Sequence, residues 1–338
     1  MNNFKYYRPE KAEQAVALLD KTWGTAELLG GGTDLHALQK DYVAQPAKVV
    51  SVNGIADLNH ITLEGKAGKP PSVIVIGAAT KLATIAANKD LKQLCRGLVE
   101  AADNLATPQI RNMATLGGNL CQRNRCWYFR DEHVRCLLKG GDKCFALDGE
   151  NRYHAVFTKG HPCVIVSPST LAPALIALGA TAEVLGPKGK RTIELAKFFQ
   201  APKTAEEREH VAAPDEMVLS VKIQTQEGQR SANYEVQHKR SYDWPLAQAA
   251  VAFRMDGTKA KDVKVVLGHV APTPLVSEAA AKAVEGKAIT EETAAQAGEA
   301  ATEGAKPLAQ NGYKVRLLAV AVKRALLTAA GANKYWEV

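Results

Sequence analysis

The sequence predicts an α+β protein in which two α/β subdomains are followed by a C-terminal module of antiparallel sheet and helices. Three observations predict it. A strand, a glycine triplet, a helix and a β-branched strand succeed one another within residues 25–52. A second apolar strand at 72–77 runs into helical patterns. Beyond residue 215, strand patterns give way to Ala-rich helical ones.

Taken in order, residues 9–22 carry Ala12, Ala15, Val16 and Leu19 at helical spacing, and 25–29 read as a short strand. Gly30, Gly31 and Gly32 break that strand, and Thr33 with Asp34 is expected to cap a helix carrying Leu35 and Leu38. The β-branched run 47–52 closes a small βαβ unit. Residues 72–77 form a buried strand, with helices over 80–88 and 91–105, and parallel, covered strands are the expected outcome. Residues 121–163 lose periodicity and are rich in Cys, Arg, Asp and Gly, so they read as an insertion organised by its cysteines. Helix and strand patterning returns at 171–185. The charged, proline-flanked stretch 200–216 reads as a linker or surface excursion. Residues 217–224, 249–254 and 263–270 are expected to be strands of one antiparallel sheet, and 277–303 and 308–330 helices. The expected divisions are 1–55, 56–200 with the insertion at 121–163, and 215–338.

Composition narrows the class. The chain has 338 residues, 46% apolar and 23% charged, enough for each part to bury a core. No apolar run reaches the length of a membrane span, and no apolar signal core follows Met1, so a cytoplasmic location is expected, or a periplasmic one only if a partner carries the chain there. The net charge of +8 is spread along the sequence without an aromatic-basic motif or helix-turn-helix pattern, which argues for a solvated surface and against nucleic acid.

Two glycine turns and a set of cysteines carry the chemistry. Gly30, Gly31 and Gly32 permit positive φ and close backbone approach, Thr33 adds a hydroxyl, and the spacing is not that of a nicotinamide fingerprint. The segment Ala106-Thr107-Pro108-Gln109-Ile110-Arg111-Asn112-Met113-Ala114-Thr115-Leu116-Gly117-Gly118-Asn119 offers a cation, hydroxyls and two more glycines. Each turn alone reads equally as a tight connection; together they can clamp one dinucleotide. Cys126, Cys136, Cys144 and Cys163 are separated by nine, seven and eighteen residues, which matches no zinc C-x-x-C ribbon, while four thiols within about forty residues suggest ligation in a reducing compartment over disulfide bridging. No Ser-His-Asp or paired-carboxylate arrangement emerges, so no catalytic side chain is assigned.

The paired Gly-Gly-Gly-Thr-Asp and Ala-Thr-x-Gln-Ile-Arg-Asn-x-Ala-Thr-Leu-Gly-Gly-Asn-Leu segments, with Ile76-Gly77-Ala78-Ala79-Thr80, Leu171-Ala172-Pro173-Ala174-Leu175 and Gly268-His269-Val270-Ala271-Pro272-Thr273-Pro274, resemble the FAD-binding medium subunit of molybdenum hydroxylases. The resemblance spans nearly the whole chain and implies the FAD-binding fold of vanillyl-alcohol-oxidase-type flavoproteins. It implies that Gly30, Gly31, Gly32, Thr33, Asp34, Thr115, Gly117, Gly118 and Asn119 contact the FAD diphosphate and that Ala106 and Thr107 lie along the cofactor. Thr170 stands where many relatives have an aspartate directed at a flavin hydroxyl, and residues 239–243 match the region near the flavin ring loosely.

The cysteine insertion resembles the branch that includes 4-hydroxybenzoyl-CoA reductase and periplasmic-type aldehyde oxidoreductases, in which the flavin subunit also holds a [4Fe–4S] cluster. That resemblance implies Cys126, Cys136, Cys144 and Cys163 as ligands, Cys121 beside the flavin loop, and Cys95 as a buried thiol; Arg123, Arg125 and Arg135 would offset cluster charge. The implied partners are a large molybdopterin-binding subunit, a small subunit with two [2Fe–2S] clusters, and an external electron partner such as ferredoxin. On this reading a ligand-cysteine substitution lowers cluster occupancy and loosens residues 121–163 but largely spares FAD. The rival readings are a self-contained FAD oxidoreductase and a zinc-stabilised scaffold. His36 is expected to be a satisfied helix residue, and His133, His154 and His161 either cluster neighbours or ordinary polar residues of the insertion.

Overall fold

The computed structural model describes residues 1–65, 71–239, 242–332 and 336. β1 (Lys5–Tyr7), α1 (Ala12–Leu18), β2 (Ala26–Leu29), α2 (Leu35–Lys40) and β3 (Lys48–Ser51) build the first layer. Its sheet has the order β1-β3-β2 with both pairings parallel, so the expected βαβ unit forms. Val50 and Val52 at the end of this sheet are buried with Ala15, Val16, Leu185 and Met217, which seals it against the next layer.

The second layer begins with β4 (Ile61–Glu64) and β5 (Val73–Gly77). Five short helices follow, α3 (Leu82–Ala87), α4 (Lys89–Leu94), α5 (Arg96–Asn104), α6 (Pro108–Met113) and α7 (Leu116–Leu120). The cysteine insertion then contributes little beyond α8 (Trp127–Arg130) and a single 3₁₀ turn at Leu137–Lys139. α9 (Leu171–Ala177), β6 (Thr181–Gly186), β7 (Gly189–Glu194), α10 (Leu195–Phe198) and β8 (Met217–Gln224) complete the layer.

Its sheet runs β4-β5-β8-β6-β7, and every pairing is antiparallel. This corrects the expected parallel arrangement. The chain leaves β5 through helices and returns to the sheet only at β6, two places away, while β8 closes between them in the opposite direction. It also corrects the assignment of 217–224 to the C-terminal sheet, because β8 is the central strand of this one. The alternate burial of Ile74, Ile76, Val221 and Ile223 against Leu82, Ile85, Leu98 and Leu175 forms the main core.

The third layer is a meander of β9 (Gln229–Val236), β10 (Ala247–Asp256), β11 (Lys259–Gly268) and β12 (Leu275–Val276), antiparallel in the order β12-β11-β10-β9. α11 (Glu278–Val284), α12 (Glu291–Ala300) and α13 (Tyr313–Ala330) cover one face. α9 and α5 pack on the other and join the module to the main core through Ala250, Ala252 and Val266. No described helix is long and apolar enough to cross a membrane.

Candidate functional site

The two glycine turns lie back to back. β2 delivers Gly30, Gly31 and Gly32 to the end of the first sheet, and Gly32 takes φ +74°, the left-handed region that glycine tolerates. A Cβ at Gly31 would fall 2.0 Å from the Met113 carbonyl oxygen, and one at Gly30 would fall 2.7 Å from Thr115 Oγ1. Only glycine lets the first turn lie directly on the backbone of the second. Asn53 Nδ2 donates to the Gly30 carbonyl at 2.6 Å, while Lys81 Nζ donates to Asn53 Oδ1 at 3.2 Å and to the Met113 carbonyl at 3.0 Å, so one cation pins both turns.

In the second turn Thr107 Oγ1 caps α6 by accepting from Ile110 N, and Thr115 Oγ1 caps α7 by accepting from Gly118 N at 3.1 Å. A cavity of about 300 Å³ opens between the turns. Gly30, Gly31, Gly32, Thr33, Asp34, Thr115, Gly117 and Gly118 line it, joined by Cys121, Gln122 and Arg123 from the start of the insertion. Ala106, Thr107, Asn119 and Thr170 lie outside this lining. Ala106 holds φ +47° at the entry to α6. Asn119 is buried and its Oδ1 accepts from Ser169 Oγ at 2.7 Å. Thr170 is buried, with its carbonyl accepting from Gln248 Nε2 and its hydroxyl 3.4 Å from His269 Nε2. A wall of glycine backbone beside this cavity fits a cofactor whose diphosphate needs close approach to the main chain.

Asp34 behaves differently from the expected helix cap. It occupies the N-cap position of α2 but its side chain makes no capping bond. Oδ1 instead accepts from Arg125 Nη1 and from Arg130 Nη2, both at 2.7 Å, and Oδ2 accepts from Arg123 N at 2.9 Å. The long-range charge pairing outcompetes the local cap. Arg130 also donates to the Arg123 and Asn124 carbonyls, and the Arg125 guanidinium stacks 4.8 Å from the Trp244 ring centroid. Burial pulls Arg125 down to about 10 although Asp34 opposes the shift.

The stretch 200–216 is only in part the surface excursion its charge suggests: Lys203, Thr204 and Glu206 are exposed, whereas Arg208, Glu209 and His210 are buried. The Arg208 and Glu209 charges are paired. Glu209 accepts from the backbone and side chain of Asn124 and sits 2.8 Å from Arg123 Nε. Burial pushes its carboxyl up, but Arg123 and the Asn124 donors outweigh that and leave it below the ordinary range. Arg208 stacks on Trp23 and faces Glu27, and His210 stacks on Phe198 with burial holding its imidazole near 4.

All six cysteines are free thiols. Cys126, Cys136 and Cys163 share an apolar cluster with Leu38, Phe129, Leu138 and Ile165, and Cys144 adjoins it beside Ala146 and Val164. The neighbouring Cys144 and Cys163 thiols shift each other in opposite directions: Cys163 holds Cys144 below the ordinary thiol range, while Cys144 and burial push Cys163 up. Burial pushes Cys126 up to about 12, and negative charge on Cys144 or Cys136 pushes it the same way. Cys144 is thus within electrostatic reach of each of the other three. Among the described residues, no three His, Cys, Asp or Glu side chains are grouped so as to hold a single metal ion.

His154 Nε2 lies 3.2 Å from Cys126 Sγ, and His161 Nδ1 lies 2.9 Å from the Cys163 carbonyl, whereas His133 is exposed. His36 is satisfied by Gln39. Cys95 is buried where α4 meets α5, and Cys121 is on the cavity wall. Of the stretch 239–243, Arg240 and Ser241 lie outside the described residues.

Sequence reasoning missed Lys314. Its buried Nζ, on α13, donates to the carbonyls of Tyr153, His154 and His269 at 3.1, 3.1 and 2.7 Å. A signal existed: Lys314 falls in helical register with Leu318, Ala321, Val322 and Ala325, the apolar face of that helix.

Comparison with known proteins places this site in context. Residues 2–224 match the family described as FAD binding domain in molybdopterin dehydrogenase, and 232–329 match the CO dehydrogenase flavoprotein C-terminal domain. The chain is 32% identical to the aldehyde oxidoreductase FAD-binding subunit PaoB of Escherichia coli, over 83% of this chain and 85% of that protein. It is 28% identical to the carbon monoxide dehydrogenase medium chain of Hydrogenophaga pseudoflava over 96% of both. The solved structure of carbon monoxide dehydrogenase from that organism superposes with a TM-score of 0.75 at 27% identity, covering 98% of each chain. With the first match ending where β8 ends and the second taking up the C-terminal meander, the chain belongs to the FAD-binding subunits of the molybdenum hydroxylases.

Proposed function

We propose that the chain is the FAD- and [4Fe–4S]-bearing medium subunit of a heteromeric molybdenum hydroxylase of cytoplasmic location. In this reading it passes electrons between an external partner, such as ferredoxin, and the assembly's large molybdopterin-binding and small 2×[2Fe–2S] subunits. The observation that carries the reading is the pair of back-to-back glycine turns gripped by arginines of the cysteine segment, in which three free thiols share one apolar cluster and the fourth lies in an adjoining one. A single zinc ion would draw its ligands to one point, whereas a four-iron cluster takes one thiolate per iron and accepts wider spacing.

Bound FAD supplies the exchange between two-electron and one-electron chemistry. The chain's residues position it. Gly30, Gly31, Gly32 and Thr33 with Thr115, Gly117 and Gly118 would hold the diphosphate, Ala106 and Thr107 would lie along the cofactor, and Asn119, held by Ser169, and Thr170, facing His269, would support that wall from outside the cavity. Asp34 acts at this wall through the arginines it holds. Cys126, Cys136, Cys144 and Cys163 provide the thiolates. Arg123, Arg125 and Arg130 offset negative charge from both cofactors, and Phe129, Leu138 and Ile165 keep water from the thiols.

The test is a visible spectrum with iron and acid-labile sulfide analysis of the purified chain after anaerobic reconstitution. Flavin bands plus about four irons per chain are expected. Serine at Cys126, Cys136, Cys144 or Cys163 should cut the iron content sharply, and serine at Cys95 or Cys121 should leave it intact. A colourless chain that binds zinc overturns the reading.

A further inference from the structure

We propose that Asp34 is a positioning residue that couples the flavin turn to the cysteine segment, so that ordering either site tightens the other. The inference rests on the FAD reading of the glycine turns and on no property of the cluster itself. Asp34 closes the glycine turn and begins α2, while its carboxylate receives three charge-assisted hydrogen bonds from residues 89 to 96 positions away. All three donors flank Cys126. Arg125 precedes it, Arg130 ends the helix that starts after it, and Arg123 stands before the Asn124 side chain that accepts from Cys126 N at 3.1 Å.

The side chain of Asp34 is 16% exposed, so these bonds form in a largely dry setting where charge-assisted bonds are strong. An aspartate beside a diphosphate would repel it; with two guanidiniums on one oxygen, the local charge becomes positive. The same helix carries Leu38 into the apolar cluster of Cys126, Cys136 and Cys163. Movement of the Cys126 loop therefore shifts Arg125 and Arg130, releases Asp34 and loosens the turn that must face the cofactor. Arg125 also stacks on Trp244 just ahead of β10, which extends the junction to the C-terminal module. The expectation that cysteine substitutions spare FAD is revised accordingly: they should weaken it.

Coupling between two sites is reciprocal, and its usual size is about 5- to 150-fold. The experiment uses the full chain, with FAD as the probe. Affinity is read from flavin fluorescence quenching, and amide hydrogen exchange of residues 121–136 is followed with and without FAD, in the wild type and in Asp34→Asn. In the wild type FAD should slow exchange across that segment. Asp34→Asn should bind FAD at least about fivefold more weakly and transmit little or no protection. A merely structural Asp34 would lower the urea midpoint yet leave FAD-induced protection of 121–136 unchanged, and that result overturns the proposal. If Asp34→Asn does not fold, Arg125→Gln and Arg130→Gln break the same clasp from the other side; full transmission in both also overturns it. Wild-type chain that binds no FAD overturns the flavin reading and the coupling together, whereas missing iron overturns only the cluster reading.

Discussion

Gly31 has the least freedom of any residue at the site. Its missing side chain is where the Met113 carbonyl lies, and the atoms in the way at 2.0, 2.5 and 2.8 Å are all backbone, which cannot swing aside as a side chain can. Gly31→Ala must part the two turns. A cost of about 3 kcal/mol is expected from such overpacking, with loss of bound FAD at a temperature where the fold survives. Thermal unfolding and flavin content check it, and an alanine variant with wild-type flavin content would contradict the packing argument. The glycine triplet was legible in the sequence because a second glycine turn accompanies it, whereas either turn alone reads as a tight connection. What could not be read was the division of labour within it: Gly32 serves a positive φ, whereas Gly31 serves contact with a residue more than eighty positions away. Asp34 escaped for the same reason. Local sequence offered a helix cap, and only the fold brings Arg125 and Arg130 to outcompete it.

At the scale of elements, α13 ties the C-terminal module to the cysteine segment through Lys314. Its ammonium meets three carbonyls, two of them beside His154, whose ring touches Cys126. Lys314→Met strands those acceptors and should cost about 2–4 kcal/mol, seen as a lower urea midpoint. Burial depresses Lys314 from 10.5 to about 7, so the unfolded chain binds more protons between those values. Stability from this group is therefore full above about pH 10.5, is lost as pH falls and levels off below about pH 7. The gap between wild type and Lys314→Met should widen between pH 7 and pH 9.5, and urea titrations at the two values read it directly. A constant gap would mean that the three carbonyls keep the ammonium at its ordinary affinity. The elements themselves were largely legible, since apolar runs at 72–77, 171–185 and 249–254 mark buried strands and helices. Strand direction was not. An apolar run records that both faces are covered and says nothing of which neighbour the chain returns to, so the parallel pairing expected around β5 and the C-terminal sheet expected for β8 both fail.

On the scale of the whole molecule, three sheets converge on one junction. The first sheet contributes a glycine turn, the helices of the second contribute its counterpart, and the insertion spans from that turn to the C-terminal module. The arrangement keeps the candidate cofactor sites together while leaving the outer surface free to carry charge. The chain has a formal net charge of +8, with most Lys and Arg outside the buried set. A basic protein meets an acidic one-electron carrier faster than a neutral one, and the gain is screened once the Debye length falls to a few ångströms. If a ferredoxin is the external partner, its second-order rate of flavin reduction should fall by about tenfold or more between 0.01 M and 1 M salt, while reduction by a small uncharged reagent stays level. Stopped-flow absorbance at the flavin bands measures both. Equal salt dependence for the two reductants would remove electrostatic docking from the account, and a rate that rises with salt would point to a partner as basic as the chain itself.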